Sequence, residues 1–393
     1  MLIRLESDQI ISYAIKKNPS SLPLCHRLSQ GVALGWFHNE RGNHYSIYYR
    51  TDQFLTDQAS AMLEVFKLYL RDIIRPEAEE LLGSHYLYIS LVQSRGVEII
   101  DRIKDYFPQF ETATEMNQGY VQIKLSSKNR SIVDLAIYGY LLIGLLAAEE
   151  KDYYFDIQLI QKMIGLLNHL NAPYMARYLF KLKLLYARSD FEKLSALLGD
   201  DRIKFSYGDN YQTRVDWVRA KLKNNDDPLV DIGCGNGKFW SRLKSLHHYY
   251  GLDLNRDEIK IAKERSNNQP NVQFYTDYKS LWNDVKTLDK VTVLLIEVIE
   301  HMTMEEAKKL IQQIWKNELV LTMLISTPNR SFNQNYKLTD QFRHQEHCFE
   351  LDRADLLKFI EELGLSGAAQ IEHVGDEVGG EPSTWGIIVR RDQ

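Results

Sequence analysis

The sequence predicts an α/β protein whose last part, residues 205–393, folds as a Rossmann-like doubly wound sheet, preceded by a mixed α+β region and then a helical one. Three observations carry this. Short apolar runs end in acids at Asp231, Asp253 and Asp277. A glycine-rich turn, Gly233-Cys234-Gly235-Asn236-Gly237, follows the first of them. Farther on, Val291-Thr292-Val293-Leu294-Leu295-Ile296 is the continuous apolar, β-branched run of a strand buried on both faces, and Glu297-Val298-Ile299-Glu300-His301 follows it directly.

The 393 residues are 44% hydrophobic and 26% charged, ordinary for globular chains and long enough for two or three domains. A net charge of −5 removes any global basic signature, so contact with nucleic acid has to come from a local patch. Three scattered cysteines, Cys25, Cys234 and Cys348, argue against a disulfide framework and for a reducing, cytoplasmic setting. The start of the chain has no secretory pattern, and Leu135 to Ala148 is too short to span a bilayer, so no membrane is expected. That run reads as a buried core helix.

Residues 1–128 read as a mixed α+β domain. Ser7 to Lys17 has helical spacing, and Gly31 to Tyr49 reads as two strands around the polar loop Asn39 to Asn43. Trp36, Phe37, Tyr45, Tyr48 and Tyr49 could stack on bases, but aromatics in a hairpin are read first as packing. Ala59 to Ile74 is an amphipathic helix stopped by Pro76, Tyr86 to Val92 a strand, Val97 to Tyr106 a helix and Tyr120 to Leu125 a strand. Residues 129–204 read as a separate helical region with helices over 131–150, 155–170, 173–188 and 191–198. Neither region presents a catalytic constellation, so a docking, substrate-gripping or partner-binding role is the default.

In 205–393 the strands are expected at 228–232, 249–253, 272–277, 291–296 and 319–326, with a terminal antiparallel pair at 369–374 and 384–390. Helices are expected over Lys238–Leu246, Arg256–Arg265 and Asp352–Leu363. The turn after Asp231 has the Asp-x-Gly-x-Gly-x-Gly spacing associated with S-adenosylmethionine-dependent methyltransferases. It differs from the dinucleotide fingerprint, and Phe239 after Lys238 argues against a phosphate loop. The glycines let the backbone approach a ligand closely, Asp253 would accept ribose hydroxyls, and Asp277 would meet an adenine amine. The resemblance to methyltransferases implies that Asp231, Gly233, Gly235 and Asp253 line the S-adenosylmethionine site.

Glu297, Glu300 and His301 stand together, and a second patch, Phe342-Arg343-His344-Gln345-Glu346-His347-Cys348-Phe349-Glu350, brings more imidazoles. Carboxylates with imidazole suit Mg²⁺ or Mn²⁺, the nitrogen share favouring Mn²⁺. The plainer alternative is that Glu300 and His301 only cap and solvate the next helix. Arg330, Lys337, Arg343 and Lys238 are candidates for phosphate contacts, and Cys348 reads as buried packing.

These two patches, with Ser326-Thr327-Pro328-Asn329, resemble the small-RNA 3′-terminal ribose 2′-O-methyltransferases of the Hua-enhancer type over roughly residues 205 to 390. The resemblance implies Glu297, Glu300, His301 and His347 as metal ligands, with His344 competing with His347 for the fourth place. It implies S-adenosylmethionine as donor, an RNA 3′ end with a free 2′,3′-diol as acceptor, and an RNA end-healing or ligating protein as partner. Glu346, Leu351 and Ser331 stand where Asp, Trp and Glu are usual, which affects substrate contacts more than the proposed ligands.

The chemistry is coherent. A ribose hydroxyl is a poor nucleophile, and a divalent cation binding both vicinal oxygens would lower the pKa of the 2′-OH, with His301 or His347 able to take its proton. Only a terminal nucleotide offers both hydroxyls. Two other readings remain open: a metal-independent small-molecule methyltransferase, and a non-catalytic RNA-repair scaffold.

Overall fold

A computed structural model describes the chain except residues 53–56, 76, 79, 94, 118–119, 151–152, 224, 244–247, 268, 339–340 and 392–393. It divides into two compact units, Met1–Leu198 and Gly199–Gln393. The expected helix stops at Pro76 and Leu246 lie outside the described residues.

The first unit is built on one antiparallel sheet. Its strands are β1 (Leu2–Ser7), β2 (Leu24–Leu28), β3 (Gly31–Phe37), β4 (His44–Thr51), β5 (Leu82–Val92), β6 (Glu111–Asn117) and β7 (Tyr120–Ser131), in the order β2-β3-β4-β1-β5-β7-β6. Alternation decides which face is buried: Ile3, Leu5, Leu87, Ile89, Val121, Ile123 and Leu125 turn into the core, and their neighbours turn out. Helices α1 (Ala59–Leu70) and α3 (Ile132–Ala147) cover the inner face, and α2 (Glu98–Lys104) packs at its edge.

Two expectations need correction here. Ser7 to Lys17 is not a helix: β1 runs into its start and turns follow, because Leu2–Ser7 pairs on both sides with β4 and β5. Sheet pairing overrides the local helical spacing. Nor do residues 129–204 form a separate region: those up to Leu198 belong to the first unit and those from Gly199 to the second. Every residue of α3 except Asp134 is buried, and a Cβ on its Gly139 would lie 2.5 Å from Leu87 Cδ2 on β5. The apolar helix is the second layer of the sheet's own core. Ser131 starts it by accepting the Val133 N–H, and α4 (Ile157–His169), α5 (Tyr174–Leu184) and α6 (Arg188–Leu198) pack on outside it.

The second unit has β8 (Ile203–Lys204), β9 (Leu229–Ile232), β10 (Tyr249–Leu252), β11 (Val272–Tyr275), β12 (Val291–Ile296), β13 (Val320–Pro328), β14 (Ala369–Val378) and β15 (Glu381–Arg390). Their order is β11-β10-β9-β12-β13-β15-β14-β8, with β9 to β13 parallel and β15 antiparallel to both neighbours. This is the Rossmann-like methyltransferase order, with the chain reversing between β9 and β12, where open sheets bind ligands. Helices α7 (Asn210–Leu222), α8 (Lys238–Leu243), α9 (Arg256–Ser266), α10 (Tyr278–Val285), α11 (Met304–Trp315) and α12 (Arg353–Glu362) flank it. One apolar cluster lies on each face, around Val293, Ile325 and Trp385 on one side and Leu294, Leu324 and Ile388 on the other. No helix among the described residues is long and apolar enough to cross a membrane.

Candidate active site

The loops after β9, β10 and β12 form the rim. Gly233 takes φ 78°, and a Cβ there would lie 2.6 Å from Val298, so glycine alone lets the turn close on the segment that carries Glu297. Asp253 fixes this turn: one oxygen accepts the Gly235 N–H at 2.9 Å and the other the Asn255 N–H at 2.8 Å. Asp253 also lines a cavity of about 850 Å³ with Gly233, Tyr278, Glu297, His301 and Cys348. A smaller space of about 270 Å³ is lined by Asp231, Gly233, Gly235, Arg214 and Glu297. Asp231 is 2% exposed and accepts the Tyr249 hydroxyl; burial pushes its carboxyl up to about 7. Asp277 sits at the end of its strand as expected, but its carboxylate caps α10 by accepting the Ser280 N–H at 2.8 Å.

The metal candidates separate into a cluster and a neighbour. Glu300, His301 and His347 offer ligand atoms that all lie within 4.8 Å of one another. The His301 and His347 rings stand at right angles, centroids 4.8 Å apart. Glu300 is fully buried, and neither carboxylate oxygen has a partner in good hydrogen-bond geometry, the buried Thr327 hydroxyl and its own backbone N–H being the donors nearest in effect. Burial, then the charge of Glu297, holds its pKa well above the usual carboxylate range. Burial and the neighbouring His347 hold His301 below the ordinary imidazole value. A buried carboxylate left without well-placed donors is costly unless a cation completes it, so this donor set fits a divalent ion.

Glu297 stands beside the cluster, otherwise engaged. Its backbone is left-handed at φ 57°, pinned by its N–H to Ser326, whose hydroxyl donates back to Oε1 at 2.9 Å, and Arg214 Nη1 lies 3.2 Å from Oε2. His344 is largely exposed and outside the cluster. His347 is held instead: its Nδ1 meets Glu350 Oε1 at 2.6 Å. Buried Glu350 also accepts the Arg343 N–H at 2.7 Å and the Asn333 side-chain amide at 2.5 Å. The two patches are joined directly, since the Cys348 N–H donates to the Glu300 carbonyl at 2.7 Å.

Three expectations fail on geometry. Cys348 is exposed and lines the larger cavity, because its backbone rather than its side chain holds the loop. Arg343 is spent inside the protein, donating to Asn333 Oδ1 at 2.7 Å and to the carbonyls of Ser383 and Asn329 at 2.6 Å each. Arg330 is paired with Asp352 and Asp355. Lys238 remains exposed, 4.8 Å over the Tyr211 ring. Sequence reasoning missed Arg214, Ser326, Asn333 and Glu350 as supports. Two of them carried a signal: Glu350, three residues after His347 in a patch already singled out, and Ser326, the first residue of the Ser-Thr-Pro-Asn motif.

Strand order, glycine turn and cleft thus define a protein with a methyltransferase-fold domain, and the comparisons agree. Residues 229–317 match the family model described as a methyltransferase domain, and residues 55–202 match the Hen1 N-terminal domain. The small RNA 2′-O-methyltransferase of Xenopus tropicalis is 26% identical over 183 residues, 42% of this chain and 48% of that one. The mitochondrial ubiquinone biosynthesis O-methyltransferase of Saccharomyces cerevisiae is 27% identical over 140 residues, 33% of this chain and 41% of that one. The chain therefore spans less than half the length of these two relatives. Across its whole length it is similar in fold to a chain of the Pnkp1/Rnl/Hen1 RNA repair complex, with TM-score 0.78, 20% identity and both chains fully covered. The order of the two matches, a Hen1 N-terminal domain and then a methyltransferase domain, is in keeping with the resemblance read from the sequence.

Proposed function

We propose that the protein transfers a methyl group from S-adenosylmethionine to the 2′-hydroxyl of the 3′-terminal ribose of RNA, with Mn²⁺ or Mg²⁺ held by Glu300, His301 and His347 and with Glu297 alongside. One observation carries this reading: a fully buried carboxylate without well-placed donors faces two imidazoles on the rim of a methyltransferase cleft. A divalent cation there supplies Lewis acidity that lowers the pKa of a ribose hydroxyl. The protein's own groups do the rest. Gly233, Gly235 and Asp253 shape the donor pocket, with Asp231 bracing it from below. Glu350 orients His347; a neutral imidazole has one lone pair, so His301 would take the departing proton only where that nitrogen is not on the cation. Asp277 is kept as an adenine-side candidate only through its place at the end of β11.

The RNA-repair context is supported by the fold shared with the repair-complex chain, and an RNA end-healing or ligating protein is the proposed partner in the cytoplasm. The decisive experiment offers matched RNA oligomers ending in 2′,3′-diol, 2′-deoxy, 3′-deoxy or 3′-phosphate, with and without Mn²⁺. Methyl incorporation is expected only into the diol and only with metal. Equal incorporation without metal would favour metal-independent methylation; no turnover on any acceptor would favour the scaffold.

A further inference from the structure

The first unit carries a second surface with its own chemistry. The sheet face turned away from α1 and α3 presents aromatic rings and cations at alternate positions of five adjacent strands. Register places Lys124 beside Tyr88, Tyr88 beside Arg4, Arg4 beside Ser46 and Ser46 beside Trp36, one transverse row over β7, β5, β1, β4 and β3. Four inter-strand gaps make that row about 19 Å long; it is interrupted at Ser46, which is buried with its hydroxyl 2.8 Å from His38 Nε2. Tyr86 stands two residues from Tyr88, the rings nearly parallel at 19° with centroids 6.5 Å apart. Lys124 Nζ lies 5.7 Å from both centroids, and the Arg4 guanidinium lies 4.3 Å over Tyr88. Tyr86, Tyr88 and Trp36 are partly exposed, and Lys124 and Tyr48 are exposed.

We propose that this face binds single-stranded RNA, bases stacking on Tyr86, Tyr88 and Trp36 while Lys124 meets the backbone phosphates. RNA as the ligand class rests on the function proposed above; the face itself stands on its composition. A protein partner wants an aliphatic centre, and here the strands send their Ile, Leu and Val chiefly to the opposite face. What remains is rings, hydroxyls and cations, the materials of sheet surfaces that stack unpaired bases. Lys124 is the cation left for a phosphate. On this face Glu6 is paired with Arg4 at 3.0 Å, Glu111 of β6 lies 3.8 Å from Lys128, and Glu115 of β6 is exposed, while the described ion pairs give Lys124 no carboxylate.

The test uses the full chain and a fluorescein-labelled, 3′-phosphorylated single-stranded RNA of about twelve nucleotides, a length within the usual site sizes. Anisotropy is read without cofactor or metal. Replacing both tyrosines, Tyr86→Ala with Tyr88→Ala, is expected to weaken binding at least about tenfold, since each stacked base contributes about 1–3 kcal/mol. Tyr86→Phe with Tyr88→Phe should keep wild-type affinity, and Lys124→Glu should weaken binding and flatten its salt dependence. The kcat on saturating trinucleotide should not change. Wild-type affinity in a folded Ala pair would overturn the proposal. So would intact RNA binding with loss of an RNA end-healing partner, which would make the face a protein-docking surface. Should the Ala pair fail to fold, photo-crosslinking of 4-thiouridine RNA decides: crosslinks at Tyr86, Tyr88 or Trp36 uphold it, and crosslinks confined to residues 205–393 overturn it. RNA that binds this face yet is never methylated would defeat the proposed reaction and leave the face standing.

Discussion

The two units solve the placing of functional groups in opposite ways. In the second, a parallel sheet buried on both faces leaves its side chains no room for chemistry, so the chemistry gathers in the loops where strands end: Gly233 after β9, Asp253 after β10, Glu297 to His301 after β12. In the first, an antiparallel sheet covered on one side spreads its polar and aromatic groups over the free side, one from each strand. Loop sites are short in sequence, and face sites are scattered through it. That difference teaches where a reader of sequence should expect to succeed.

The largest effect should come at the strand-end site and leave the sheet face untouched. Glu300→Gln is expected to abolish Mn²⁺ binding by calorimetry and to cut methyl transfer about a hundredfold or more, while RNA anisotropy stays at the wild-type value. Its metal-free melting temperature should hold or rise, because a buried carboxylate without well-placed donors is lost. A clear drop in that temperature would mean that Glu300 supports the fold rather than a cation. Next in size, Glu350→Gln should weaken Mn²⁺ binding about 10- to 100-fold by loosening His347, as outer-sphere partners of ligating histidines do. Undiminished affinity would show that His347 needs no such brace.

A third test asks whether the donor pocket is braced by a buried acid. Burial raises the folded-state pKa of Asp231 to about 7, above its unfolded value. Its contribution to stability is therefore complete below the ordinary carboxylate pKa and is lost as pH climbs to about 7, a decline of a few kcal/mol at most. Denaturant titrations across that window should show a fall in stability that Asp231→Asn flattens; equal slopes would sink it. The smallest effect belongs to Arg330→Ala. Its partners Asp352 and Asp355 are at the surface, so stability should fall by less than about 1 kcal/mol and RNA affinity should stay put.

Most of the second unit was legible because period and punctuation agree there. The strand pattern, the glycine turn and the acid after each run all gave the same sheet, down to the terminal hairpin. The cluster Glu300, His301 and His347 was legible because five consecutive residues hold two of its members. Arg343 was misread because a guanidinium in a polar patch looks free until its three inward acceptors are seen. The first unit was harder. β1 lies at the start of a stretch with helical spacing, and only pairing with β4 and β5, whose partner residues are some 40 and 80 positions away, makes it a strand. α3 was recognised as buried, but nothing local says which sheet buries it. The row from Lys124 to Trp36 had no signature, since its members are set by register across distant strands.

The bond from the Cys348 amide to the Glu300 carbonyl has a consequence for how such a chain can drift. Both partners are main-chain atoms, so no ordinary replacement at either position erases the link, proline at 348 excepted. Exposed rim side chains such as Glu346 can be replaced while the two segments stay at the same separation. Descendants can change what they accept long before they lose the place where it is accepted.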